Sequence, residues 1–189
     1  MSLFMASMQV DFSEYDGARL RAAIEQTLTR ASEHLPTSAK LKQGAEVTLK
    51  DPEAETAKFF QAVLEVSYLV ASADGFADEE RSALAQLLEG VTQAAVDHDT
   101  LELHFRDLDD ACAMLGRRER MRRAVEDFSD EAARHQALCF AAIVAMADGK
   151  LAEPEAAALG ELGHHLGCSP DQVAALTQQM AQTIRAALA

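Results

Sequence analysis

Two copies of one short motif place aspartates where they could bind a metal ion. Residues 69–75 read LVASADG and residues 143–149 read IVAMADG, so five of the seven positions are identical. Asp74 and Asp148 each fall at the C-terminal end of an apolar helical run, where the helix dipole disfavours an anion by roughly 0.3–1 kcal/mol. Either a local backbone donor satisfies each aspartate, or a divalent cation is held by these oxygens.

The same stretches also have a purely structural interpretation. Gly75 and Gly149 would end the two helices in the left-handed conformation that only glycine adopts cheaply. The next helix would then carry four glutamates in or near its first turn, where negative charge is favoured. These are Glu79 and Glu80 after the first motif and Glu153 and Glu155 after the second. From the residues alone, both the structural interpretation and the cation site stay open.

Other metal and catalytic motifs fit less well. Residues 148–155 read DGKLAEPE, like the back half of an EF-hand loop, but Val144 and Met146 stand where the first two ligands should be. Glu161 and His164 match one Glu-x-x-His motif of di-iron bundles, without the second copy that such sites need. The chain has no nucleophile elbow, phosphate-binding loop or zinc-protease motif. We therefore expect a protein that is not an enzyme.

A basic segment, RRERMRR at residues 117–123, has two interpretations. It could be a solvated helix face that balances nearby acidic residues such as Asp107, Asp109 and Asp110. It could instead be a docking patch for an acidic partner or for membrane phosphate groups.

The elements that must position these residues are all expected to be helices. Good helix formers dominate, the chain has only 9 Gly and 4 Pro, and no strand-length stretch alternates apolar and polar residues. The apolar periodicity predicts eight helices, at 13–34, 53–73, 78–90, 96–115, 116–128, 130–147, 153–166 and 170–187. Residues 35–52 hold two Pro and one Gly without a clear period. The sequence therefore divides into an N-terminal helix and linker, 1–52, and a helical domain, 53–189.

The duplication extends beyond the two Asp-Gly turns. Leucine-rich positions of the following helices also correspond, with Leu84 and Leu87 matching Leu159 and Leu162. Such a repeat predicts a bundle of two pseudo-symmetric halves, related by a pseudo-twofold axis. This symmetry would bring Asp74 and Asp148 close together.

Composition limits the partners and the compartment. The net charge is −14, from 17 basic and 31 acidic residues, which argues against nucleic acid as a partner. The three cysteines form no CxxC pair, and no signal peptide is evident at the N-terminus, so we expect a cytoplasmic protein with reduced thiols. The longest apolar run, 138–147, is too short for a membrane helix, which needs about 20 residues.

The motifs ADGFADEERSAL and ADGKLAEPEAAAL, each behind an apolar helix, resemble the paired motifs of the TerB-like tellurite-resistance family. That family is also similar to the N-terminal domain of certain membrane-anchored J-domain cochaperones. The resemblance covers residues 55–188. It implies an all-α bundle of two pseudo-symmetric halves, with an acidic cluster that binds divalent metal. The family pattern then maps onto Asp74, Asp148 and Glu155, with either Glu79 or Glu80 at the remaining position.

The resemblance implies a non-enzymatic stress-response or adaptor module related to tellurite resistance, with a Ca²⁺ or Mg²⁺ site. We expect a protein partner, and this partner could be associated with a membrane. We do not expect a small-molecule substrate. One alternative is a metal-dependent hydrolase that uses the same carboxylates. Another is a purely structural helical adaptor.

Overall fold

A computed structural model describes residues 10–31, 52–75, 78–92, 96–128 and 130–189, with the side chains of 52–57 and 78–80 excepted. Within these residues the chain is helical, and extended pairing is limited to an isolated bridge between Asp11 and Lys150. The helices are α1 Gly17–Ala31, α2 Pro52–Ala71, α3 Asp78–Val91, α4 His98–Leu115, α5 Arg117–Ala124, α6 Glu131–Val144, α7 Glu153–His165 and α8 Pro170–Leu188, with a 3-10 turn at Val125–Asp127. The prediction of an all-α fold is confirmed.

Side-chain caps decide where the outer helices begin. Helix α8 begins at Pro170, as the sequence predicts. Ser169 caps it, since its hydroxyl accepts the Gln172 N–H at 3.2 Å and the Gln172 side chain accepts the Ser169 N–H at 2.7 Å. The predicted start of α1 at Ser13 is wrong. The cap is Asp16, whose carboxylate accepts the N–H groups of residues 18 and 19 at 3.0 and 3.2 Å.

The core is organised around α2 and α6, the two most apolar helices, which pack most extensively on each other. Helices α4 and α5 cover α2 on one side, and α1, α7 and α8 close around the pair. The apolar period of the sequence predicts Leu101, Phe105, Leu108 and Leu115 on one face of α4. The first three point into the core, but Leu115 is exposed. Leu115 is the last residue of α4, where the chain turns away at Gly116 with a φ of 83°.

The N-terminal segment packs into the same core. Helix α1 buries Leu20, Ile24 and Leu28 and contacts α8, α6 and α3. Before it, the Phe12 N–H donates to the Gly149 carbonyl at 2.6 Å, which ties the segment to the second Asp-Gly turn. The division at residue 52 stays a prediction. Most of the predicted connector lies outside the described residues, and Pro52 begins α2.

The two Asp-Gly turns have the same backbone hydrogen bonds. In the first, the Ala73 N–H donates to the Val70 carbonyl and the Gly75 N–H to the Ser72 carbonyl, both at 3.1 Å. The second turn repeats both bonds 74 positions later, at 3.0 and 3.1 Å. The two glycines have φ of 94° and 103°, the left-handed values that favour glycine. The two turns are therefore alike in backbone conformation. The pseudo-symmetry of the two halves of the bundle stays a prediction.

Candidate functional site

A cavity of about 230 Å³ lies between the two Asp-Gly turns and the first turn of α7. Asp74, Asp148 and Glu155 all line it, although they are far apart in the sequence. Helix α3 adds an apolar wall with Leu84 and Leu87. The structure thus brings together three of the five predicted site residues, and we call this cavity the acidic pocket.

Asp148 is held by its own turn. Its carboxylate accepts the Lys150 N–H at 3.1 Å, the local backbone donor that the structural interpretation requires. The residue as a whole is exposed, but loss of water around the carboxylate raises its pKa. The negative charge of Asp74 raises this pKa further, and Lys150 opposes the shift. The two aspartates are therefore close enough to repel each other.

Glu155 is the most deeply buried carboxyl group of the pocket, with 6% of the residue exposed. One oxygen, Oε2, accepts the Ala152 N–H at 2.8 Å and so satisfies a donor at the start of α7. The other oxygen, Oε1, has no hydrogen-bond partner among the described residues. Burial raises the pKa of Glu155 to about 8, and the charges of Asp148 and Asp74 add to the shift.

The other glutamates do not complete the site in the described structure. Glu79 and Glu80 lie in the first turn of α3, but their side chains are outside the described set. Glu153 is exposed at the start of α7 and is not part of the pocket lining. The backbone therefore places the two α3 candidates at the expected helix end, and whether they reach the pocket stays a prediction.

The donor chemistry of the pocket fits a hard divalent cation, because carboxylate oxygens are the ligands that Ca²⁺ and Mg²⁺ prefer. The described side chains alone do not form a full ligand shell. No group of three or more His, Cys, Asp or Glu among them is arranged to hold a metal ion. A cation at this site would need further oxygens, from α3, from water or from a bound anion.

Sequence reasoning missed the contribution of α1. Gly17 and Arg21 line the acidic pocket, and the Arg21 guanidinium donates to the Gln86 side chain of α3 at 2.8 Å. Helix α1 also lies close to the second turn, since a Cβ on Gly149 would lie 3.2 Å from Leu20. Arg21 follows the buried Leu20 and therefore flanks the apolar face of α1. That position was the available signal, but it does not indicate which part of the bundle the face covers.

The basic segment binds the protein's own helices. Arg117 donates to the Leu69 carbonyl and to the hydroxyl and carbonyl of Ser72, at 2.9 and 2.6 Å for Ser72. It thus caps the C-terminal end of α2, next to Asp74. Arg120 forms a two-point ion pair with Glu65 at 2.5 and 2.7 Å, and Glu65 is only 4% exposed.

The remaining arginines of the segment are also paired. Arg118 contacts Glu161 at 2.8 Å, and Arg122 and Arg123 both contact Glu119 at 2.8–3.0 Å. The acids that balance the segment are therefore not the predicted aspartates of α4. Asp109 instead binds Arg81 at 2.7 Å. All five arginines are thus engaged within the chain, and the interpretation as a docking patch stays a prediction.

A comparison with protein families matches residues 60–178 to the family described as tellurite resistance protein TerB. The chain belongs to the TerB family. The match includes both Asp-Gly turns, Glu155 and the α2–α6 core, and it leaves out α1. Comparisons with curated proteins and with solved structures returned no match. The further resemblance to J-domain cochaperones stays a prediction.

Among the described residues, none of the helices has both the length and the apolar character needed to cross a membrane.

Proposed function

We propose that this TerB-family protein is a non-enzymatic module of the response to tellurite and metal stress, and that it binds a divalent cation in the acidic pocket. The observation that carries the proposal is the convergence of Asp74, Asp148 and Glu155 on one cavity. Bringing like charges together while removing water from them costs free energy, and a bound cation would offset that cost.

Ca²⁺ and Mg²⁺ are the cations that this chemistry supports best. The free Oε1 of Glu155 and the carboxylates of both aspartates would supply oxygen ligands. Glu79 and Glu80, at the start of α3, are the remaining candidates for the same ion. The acid at position 155 would bind as a carboxylate and release its proton, so cation affinity would rise with pH.

The pocket lining favours binding over hydrolysis. A metal-dependent hydrolase needs an open coordination position and a base close to the bound water. Among the described lining residues there is no His, Cys, Ser or Lys, so any base would have to be one of the carboxyl groups. This composition supports an adaptor whose pocket senses a cation.

The expected partner is a protein with a basic surface. The net charge of −14 attracts positive surfaces over several ångströms. Since the arginines of α5 are engaged internally, the acidic faces of the bundle are the better candidates for docking.

Melting temperatures test the cation proposal. The protein is stripped with EDTA and then measured with and without millimolar Ca²⁺ or Mg²⁺, for the parent and for the double variant Asp74→Asn with Asp148→Asn. We expect the cation to raise the melting temperature of the parent and not of this variant, because the amides lose two negative charges. The matched control, Asp107→Asn with Asp110→Asn on the outside of α4, should respond like the parent.

Two outcomes would contradict the proposal. A parent protein that is indifferent to every divalent ion would leave a purely structural adaptor. If the Asp74→Asn, Asp148→Asn variant were more stable than the parent under all conditions, including with the cation present, relief of repulsion alone would explain the pocket.

A further inference from the structure

The acidic pocket also contains a positive charge that no acid neutralises within the described part of the chain. Arg21 is half-buried in α1 and lines the pocket. Its guanidinium donates to the neutral amide of Gln86 at 2.8 Å, and it has no ion-pair partner in the part of the chain that the structure describes. In contrast, four of the five arginines of α5 pair with carboxylates, and the fifth, Arg117, binds backbone and hydroxyl oxygens at the end of α2. An arginine that keeps most of its five donors free at a cavity can bind an anion there.

The same pocket contains a buried acid with a free oxygen. Glu155 is 6% exposed, lines the pocket, and uses only Oε2 in its bond to the Ala152 N–H. Asp148, at the same cavity, uses one oxygen to accept the Lys150 N–H. Neither acid forms an ion pair with Arg21, so an unpaired guanidinium and carboxyl oxygens that remain free to accept hydrogen bonds line the same cavity.

The remaining walls are apolar and the space is small. Ala71, Leu84, Leu87 and Val144 contribute to the lining, from α2, α3 and α6. The cavity of about 230 Å³ lies below the roughly 300–1,000 Å³ of pockets that hold drug-sized ligands. A ligand of this pocket would therefore be compact, with one positive and one negative group and a short apolar part.

We propose that the acidic pocket binds a small zwitterion of the α-amino acid class. The ligand's ammonium group donates to the free oxygens of Glu155 and Asp148. Its carboxylate accepts from the guanidinium of Arg21, whose planar fork matches a carboxylate. Its side chain packs against the leucines of α3. The ammonium group takes the place of a divalent cation, so this proposal does not rest on metal binding.

The positive side of this site belongs to the N-terminal part of the chain. Arg21 and Gly17 come from α1, whereas the family match begins at residue 60. The carboxylates lie within the matched region. The ligand class is therefore a property of this chain, and it arises because α1 covers an acidic cavity built by the family core.

Thermal melting with a panel of ligands tests the proposal. The intact protein is kept in EDTA and screened with each of the twenty standard amino acids at millimolar concentration, and the best ligand is titrated by calorimetry. The corresponding amine without its carboxylate, and the acid without its amine, are matched probes. We expect the zwitterion to raise the melting temperature and both half-ligands to raise it much less.

Substitutions then test the role of Arg21. Arg21→Gln should weaken binding of the zwitterion by about 10- to 100-fold, the range for losing a charge-assisted hydrogen-bond pair. Arg21→Lys should retain part of the affinity, because it keeps the charge and loses the planar fork. Arg30→Gln, at an exposed position in the last turn of α1, is the control and should leave the affinity unchanged. The circular dichroism spectrum of each variant verifies that it is folded.

Three results would overturn the proposal. The first is that no amino acid in the panel raises the melting temperature in EDTA. The second is a binding affinity that Arg21→Gln leaves intact. The third is equal binding of the amine alone, which would mean that the pocket selects cations only. None of these results depends on the response to Ca²⁺ or Mg²⁺, so the cation proposal is tested separately.

Discussion

Replacing the buried acid of the pocket, Glu155→Gln, should change how stability depends on pH. Burial raises the pKa of Glu155 from 4.5 to about 8 in the folded chain. Between these values the folded protein keeps a proton that the unfolded chain has released, so its stability falls as pH rises through that window. Glutamine can still accept the Ala152 N–H through its amide oxygen, but it does not titrate. The stability of the variant should therefore not show this fall with pH.

The magnitude follows from the width of the window. Each pH unit between the two pKa values changes the free energy of unfolding of the parent by about 1.4 kcal/mol. Between pH 4.5 and pH 7, the free energy of unfolding of the variant should therefore rise by about 3 kcal/mol relative to that of the parent. Above pH 8 the gain should level off near 5 kcal/mol. Below pH 4.5 the difference between the two proteins should be constant, because both side chains are then neutral.

Urea unfolding at half-unit steps from pH 4.5 to 9, in EDTA, measures this difference. Glu153→Gln is the matched control, because it removes an exposed acid two residues away in the same helix turn. Its difference from the parent should change little with pH. A Glu155→Gln difference that stays flat across this range would refute the reasoning, and it would mean that Glu155 stays ionised in the folded protein near neutral pH.

Three further predictions concern packing around the core. Arg120→Ala should destabilise the protein by about 3–5 kcal/mol in urea unfolding, since it leaves Glu65 buried without its partner, and adding Glu65→Gln should restore part of the loss. Gly163→Ala should cost about 1–3 kcal/mol in the same assay, because its Cβ would lie 2.2 Å from a methyl group of Val173. Ser169→Ala should lower stability by about 1 kcal/mol through loss of the α8 cap. An unchanged unfolding midpoint would contradict any of the three.

The features that the sequence predicted well depend on local chemistry. The period of apolar residues gives α2 and α6, and Ser169 followed by Pro170 marks the start of α8. The two Asp-Gly turns were visible because a glycine after a helix favours the left-handed conformation that both adopt. Each of these signals lies within a few residues of the structure that it predicts.

The features that it missed depend on contacts between distant parts of the chain. The sequence left the arginines of α5 either on a solvated face or in a docking patch, and neither interpretation included the pairing of Arg120 with a buried Glu65 that is 55 positions away. The available signal was Glu65 itself, because one acid within an apolar helix requires a partner. Similarly, the periodicity of α1 indicated a buried face but not that this face would carry Arg21 to the acidic pocket.

The two turns of the site are alike in sequence and hydrogen bonding, but different elements hold them in place. Arg117 binds the last carbonyls of α2 and so supports the turn that carries Asp74. Within the described residues no arginine donates to the backbone of the second turn; instead, the Phe12 N–H donates to its Gly149 carbonyl. The half of the pocket that carries Asp148 and Glu155 thus depends on the N-terminal segment, which lies outside the family match. The two turns are thus alike in sequence but held by different parts of the chain, and the pocket between them combines acids from the family core with an arginine from α1.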